Sequence, residues 1–187
     1  MRLKGATYAV SNTGPLISAF QSNSFSLLAE VFAEIHTTAA CVAELVKHGW
    51  EEEFRAAPSR LVIVKLTEKE KEHARLFSKR IAQHPDTNDH VVKNHLGEAE
   101  ALVVSLRPQY RNDVVLLDEL AARAIAKQVG VKLSGFPGVL LLAVQAGLIS
   151  PEELKNRLAL CRKLGTHYSL RLIQQVYEMA KHGQSLK

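Results

Sequence analysis

Six side chains with oxygen donors could act together in this sequence: Asn12, Glu44, Glu98, Glu100, Asp118 and Glu119. Asn12 ends a short apolar run in "YAVSNTGPLI", and Asp118-Glu119 end another in "VVLLDE". Glu44 lies within "CVAELV", and Glu98 and Glu100 share "GEAEAL". A donor set made only of oxygen suits Mg²⁺ or Mn²⁺. Carboxylates crowded together repel and raise one another's pKa values unless a cation neutralises them. A cation so held lowers the pKa of its bound water and stabilises charge on a phosphoryl oxygen, which is the chemistry of phosphodiester hydrolysis.

The two glutamates of "GEAEAL" are not equivalent. Two positions apart on a regular helix they point about 200° from each other. Glu98 shares a stripe with Ala101, Leu102 and Ser105 and leans toward a sheet. It also follows Gly97 in the first helical turn, where the dipole favours negative charge. Glu100 is solvated on a regular helix. A reading without chemistry stands beside this one. Asn12-Thr13-Gly14-Pro15 also forms an Asx-type turn and N-cap, Asp118 also caps the next helix, and Glu44 also fits the solvated side of its helix.

Other chemistries find less support. Cys41 and Cys161 are isolated, and no Cys/His cluster has zinc spacing. His84, His90 and His95 fall in one polar loop, where histidines are usually exposed. Ser11, Ser18 and Ser134 lack a G-x-S-x-G elbow, and neither phosphate-binding glycine motif occurs.

The elements that must position these residues alternate. Strands are expected at Ala6–Ser11, Glu34–Thr37, Leu61–Lys65, Val114–Leu117 and Lys132–Ser134. Helical patterns cover Gly14–Gln21, Phe25–Ala33, Ala39–His48, Thr67–His84, Glu98–Leu106, Glu119–Val129 and Gly138–Ala146. Thr67-Glu68-Lys69-Glu70 and Ser150-Pro151-Glu152-Glu153 have the form of capping boxes. The segment "HPDTNDHVVKNHLG" reads as a flexible loop. Alternating strands and helices predict an α/β fold with a parallel sheet covered on both faces, its site outside the carboxyl ends of the strands. The stretch from 150 to 187 holds two helical patterns and no strand. It reads as a helical hairpin appended to an α/β domain over 1–149, docked on that domain or on a dimer partner.

The 187 residues, 47% apolar and 23% charged, have an ordinary globular composition. "GVLLLAVQAGLI" is too short for a membrane span, and "MRLKGATYAV" does not read as a signal peptide. Two isolated cysteines fit a reduced, cytosolic protein. The last 37 residues carry seven Lys/Arg against three Glu, which is +4 of the formal +5. Such a tail helps hold polyanions such as RNA, but a bias of this kind is more often a solvated helical face.

In this order, "VSNTGPLI", "VAELV", "LGEAEAL" and "VVLLDELAARAIAKQVGVKLSGFPGVLLLAVQAGLI" resemble the PIN-domain family, in a prokaryotic branch related to the VapC-type toxin ribonucleases. The resemblance spans Tyr8 to Ile149 and is most specific from Val114 to Ile149. It implies a three-layer α/β/α sandwich and RNA cleavage with Mg²⁺ or Mn²⁺ held by three or four acids. By position it sets the first acid at Asn12, the second at Glu44, the third at Glu98 with Glu100 as partner, and the fourth at Asp118. Glu119 would add a ligand through water, and Thr13 would brace the ligands. The family usually has aspartate where Asn12 stands; asparagine still offers a carbonyl oxygen but one less negative charge.

Two expectations follow. One is a metal-dependent endoribonuclease, the toxin of a toxin–antitoxin pair, with a small antitoxin protein and a homodimer implied by resemblance alone. The other is a non-catalytic RNA- or protein-binding module that kept the fold, which Asn12 favours. A receiver-like phospho-acceptor ranks lower, because no close acidic pair follows the first strand.

Overall fold

Short apolar, β-branched runs become the strands β1 (Tyr8–Ser11), β2 (Glu34–Thr38), β3 (Leu61–Val64), β4 (Val114–Leu116) and β5 (Lys132–Ser134). The computed structural model describes residues 8–57 and 60–184, so the Ala6–Thr7 part of the first expected strand and the cation Lys187 lie outside the described residues. The strands form one parallel sheet in the order β3-β2-β1-β4-β5. Parallel neighbours need crossovers, and helices supply them. These are α1 (Thr13–Gln21), α2 (Phe25–Val31), α3 (Ala39–Lys47), α4 (Glu51–Ala56), α5 (Glu68–Ala82), α6 (Leu96–Ser105), α7 (Leu120–Gln128) and α8 (Phe136–Gln145), followed by α9 (Pro151–Lys163) and α10 (Leu170–Gln184).

Alternation along β1 divides the core. Ala9 packs with Leu16, Leu28, Ile35 and Leu140 on one face, while Val10 packs with Leu102, Val115, Leu117 and Ile125 on the other. Helices α1, α2 and α8 therefore cover one face and α5, α6 and α7 the other, giving the three-layer sandwich. Helices α9 and α10 join the first layer: Leu154, Leu158, Cys161, Ile173, Val176 and Ala180 are buried in the same core as α8. No helix among the described residues is long and apolar enough to cross a membrane.

Local rules account for where elements start. Thr67 and Ser150 both form complete capping boxes, with Glu70 and Glu153. Helix α8 begins at Phe136, two residues before the expected start, because Gly135 takes the cap position and Pro137 suits the first turn. Helix α4 has no apolar stripe to reveal it; Glu51, Glu52 and Glu53 sit in its first turn, where the dipole favours them.

The histidine-rich segment is tied down rather than flexible. The Asp89 carboxylate accepts from the Val91 N–H (2.8 Å) and the Asn94 amide (2.7 Å), and His95 Nε2 lies 2.7 Å from the Asp89 carbonyl. A short 3-10 helix, Val92–His95, follows, and His95 is only 4% exposed. The turn formers that suggested mobility satisfy one another's polar groups instead.

Several tail cations also have structural partners. Arg157 donates to Ser22 O, Asn23 O and Ser24 Oγ, Arg162 donates to Tyr168 O, and the Lys155 ammonium lies 4.7 Å from the Tyr177 ring centre.

On the opposite side of the sheet, Arg107 forks onto both Glu70 oxygens (2.7 and 2.9 Å) and donates to Lys65 O (2.7 Å). The Arg107 guanidinium, together with the Thr67 cap, holds the Glu70 carboxyl down at about 2. A lowered folded-state pKa gives stability that is present above the unfolded value and lost as pH falls from about 4.5 toward 2. Both side chains are about one-fifth exposed, so solvent screens the pair. Glu70→Gln should therefore destabilise the protein by roughly 1 kcal/mol at pH 7, with the gap closing toward pH 2 in urea melts.

Candidate active site

The order of the sheet reverses at β1, which has β2 on one side and β4 on the other. The Asn12 N–H reaches the Leu116 carbonyl (3.2 Å), carrying the β1–β4 ladder past the end of β1. Asn12 and Asp118 therefore leave the sheet side by side, at the switch point where α/β proteins open a crevice.

Asn12 occupies the N-cap position of α1, yet its side chain makes no cap bond. It is 3% exposed, and its Nδ2 donates to Glu98 Oε1 (3.3 Å). With Glu98 ionised, reversing the amide would set two oxygens against each other, so Oδ1 points away from Glu98 Oε1. That oxygen and Glu98 Oε2 are both enclosed and have no hydrogen-bond partner. Buried acceptors in folded proteins nearly always have one.

Neighbouring helices bring the other acids to this point. Glu44, on α3, accepts a 2.5 Å hydrogen bond from the Thr13 hydroxyl, at the start of α1. Gly97, before Glu98 on α6, packs so closely that a Cβ there would lie 3.3 Å from Glu44 Oε2 and 3.6 Å from Thr13 Oγ1. The starts of α1 and α6 and the middle of α3 thus meet around Asn12. Glu100 turns away, as its spacing predicts, and lies 3.4 Å from the Ala40 N–H at the start of α3.

Asp118 and Glu119 divide two tasks. The cap of α7 is Glu119, which accepts from the Ala122 N–H (2.5 Å). Asp118 does not cap α7. Its Oδ1 accepts from the Phe136 N–H (3.0 Å) and its Oδ2 from the Tyr168 hydroxyl (2.8 Å). A Cβ on Gly14 would stand 3.9 Å from both Asn12 Oδ1 and Asp118 Oδ2, so these two side chains flank one glycine. A Cβ on Gly135 would overlap Asp118 Oδ1, so that position has room only for glycine.

The electrostatics follow from enclosure. Burial raises the Glu98 carboxyl to about 7; the charges of Glu44 and Glu119 add to this, while its own helix N–H and His95 oppose it. Burial also raises Asp118, against the Tyr168 hydroxyl, the Phe136 N–H and Arg123. Tyr168 is raised too, by burial and by the Asp118 charge, and stays a donor. Neither cysteine is a reactive thiolate, since burial pushes Cys41 and Cys161 each up to about 11.

Among the described residues no three Asp, Glu, His or Cys side chains converge as a metal-ligand group. What gathers is a mixed oxygen set: Asn12 with Glu98, Thr13 with Glu44, and Asp118 across Gly14. Two unpartnered enclosed oxygens and a carboxyl starved of positive charge are what a hard divalent cation would complete, so the donor set fits Mg²⁺ or Mn²⁺. Tyr168, Gly135 and the Phe136 N–H were not legible as parts of the site. Tyr168 comes from the loop between α9 and α10, 50 residues from Asp118, with no motif around it.

The raised Glu98 pKa has a definite sign. The unfolded chain loses this proton first, so metal-free stability falls as pH rises from about 4.5 to about 7. Glu98→Gln removes the penalty. With chelator present, it should be more stable than wild type at pH 8 by up to roughly 3 kcal/mol and little different at pH 5, read from melting curves at both pH values. A wild-type advantage at pH 8 would show that Glu98 is not held against its charge.

The comparison with protein families agrees with this geometry. No curated protein matches the chain. Residues 8–182 match the family described as PIN domain. PIN domains are generally nucleases and typically use divalent metals, and the match runs through both terminal helices as well as the sheet. With nearly its whole length matched, the chain belongs to the PIN-domain family.

Proposed function

We propose that the protein is a divalent-cation-dependent endoribonuclease that hydrolyses RNA phosphodiesters, the toxin of a cytoplasmic toxin–antitoxin pair in the prokaryotic VapC-type branch. The observation that carries the reading is the pair of enclosed, unpartnered oxygens, Asn12 Oδ1 and Glu98 Oε2, at the sheet's switch point. Asn12, Glu44, Glu98 and Asp118 would hold Mg²⁺ or Mn²⁺, with Glu100 and Glu119 further out. Held there, a divalent cation would supply positive charge for a phosphodiester and lower the pKa of bound water. The chain's own residues prepare that site. Thr13 fixes Glu44, the Asn12 amide keeps Glu98 turned inward, and the Phe136 N–H holds Asp118. Lys163 and Arg171, both exposed, flank the loop that reaches Asp118 and suit contacts to the RNA backbone, which orient without reading sequence. By family resemblance we also propose a homodimer and a small antitoxin segment laid along the cleft.

A second reading, a binding module without efficient catalysis, is favoured by the neutral amide at Asn12. The test combines Mn²⁺ calorimetry with cleavage of end-labelled RNA by wild type, Glu98→Gln and Asn12→Asp. The nuclease reading expects saturable binding and cleavage in wild type, both falling at least ten-fold in Glu98→Gln, with tighter binding in Asn12→Asp. Cleavage seen only in Asn12→Asp would establish the binding module, and a folded wild type without either signal would overturn the nuclease.

A further inference from the structure

Asp118 receives two hydrogen bonds from two different parts of the chain, and one of them comes from the last pair of helices. We propose that Tyr168 is a positioning residue: its hydroxyl orients the Asp118 carboxylate toward the acidic cleft. The inference rests on the cation-site reading given above.

The proton count fixes the direction of the chain of bonds. A tyrosine hydroxyl has one proton, and Tyr168 gives it to Asp118 Oδ2 (2.8 Å). The Ser18 hydroxyl, 2.9 Å away and fully buried on α1, must then donate to the Tyr168 oxygen. The tyrosine ring is held independently of Asp118. It is 5% exposed in the main core, Arg162 donates to its carbonyl (2.9 Å), and the Thr166 hydroxyl ties the same loop to Gln21 Oε1 (2.7 Å). The hydroxyl is therefore set in place by α1, α9 and their loop, and Asp118 meets it there.

Two donors on one carboxylate do what one cannot. The carboxyl torsion of aspartate is broad, so a single bond from the Phe136 N–H leaves the other oxygen free to swing. With Oδ1 held by that N–H and Oδ2 by Tyr168, the carboxylate plane is fixed. Each oxygen keeps a further lone pair, and Oδ2 lies beside Gly14, which Asn12 Oδ1 also flanks. A tyrosine needing only to satisfy its own hydroxyl could bond to Ser18 alone. The second bond goes instead to Asp118. Hydrogen bonds of this kind, made to a ligand rather than to the metal, change metal affinity about 10–100-fold when removed.

The test is a double-mutant cycle read by Mn²⁺ binding, with calorimetry for affinity and the Mn²⁺ electron-spin resonance line shape for the ligand environment. Wild type, Tyr168→Phe, Asp118→Asn and the double variant are compared, with melting temperatures as the control for folding. The expected result is binding about ten-fold weaker in Tyr168→Phe with an altered line shape, and no further loss when the same change is made on Asp118→Asn. Ser18→Ala, which leaves the ring and its hydroxyl in the core, should weaken binding in the same direction and provides a milder second variant. Wild-type affinity and line shape in both Tyr168→Phe and Ser18→Ala would overturn the positioning role while leaving the cation site standing. An equal loss in both backgrounds would overturn it as well, because Tyr168 would not be acting through Asp118. Absence of saturable Mn²⁺ binding by folded wild type would instead overturn the cation site itself, and this inference with it.

Discussion

One backbone hydrogen bond, from the Asn12 N–H to the Leu116 carbonyl, holds the candidate site together. It extends a parallel ladder by a single step beyond β1, and that step decides where the Asn12 side chain leaves the sheet. A slip of one residue in the β1–β4 register would turn Ala9 and Val10 onto the wrong faces, so the register is fixed by both core halves at once. The geometry of the acids is thus inherited from hydrophobic alternation several residues away.

Three arginines direct their hydrogen bonds away from the candidate ligands. Arg123, whose charge acts on Asp118, donates from Nη1 to the Leu117 carbonyl (2.8 Å) rather than to a carboxylate. Arg107 is locked onto Glu70 on the far side of α5, and Arg157 onto the α1–α2 turn. An arginine pairing with Glu98 would relieve the strain of burial and close the site to any other positive charge. Leaving the charge unanswered is unfavourable for the bare fold, as buried unpaired groups are. That cost is small against the core that surrounds it and is concentrated at one place.

Much of this was legible in the sequence. The five strands, the parallel sheet and both capping boxes follow from apolar runs and hydroxyl–carboxylate spacing, with the strand ends among the described residues off by at most one. The divergence of Glu98 and Glu100 followed from helical angle alone, and Glu98 does face Asn12 while Glu100 does not. Local rules misread the caps. Both Asn12 and Asp118 have the residue type of an N-cap, but Asn12 makes no cap bond, and the neighbouring Glu119 caps α7. Residue type cannot separate adjacent acids when tertiary neighbours choose between them. Helix α4 and the ordering around Asp89 were missed for another reason: they rest on charge at a helix start and on side-chain turns, which leave no periodicity. Tyr168 could not be read at all, because nothing near it in the chain marks what it touches.

That last contact also sets an order of assembly. Asp118 is synthesised well before Tyr168, and every element bearing a candidate ligand leaves the ribosome before α9 and α10 do. The Tyr168–Asp118 hydrogen bond cannot form until the 50-residue stretch that separates them has been made. Until α9 and α10 pack, one wall of the cleft is missing and Asp118 has only the Phe136 amide to direct it.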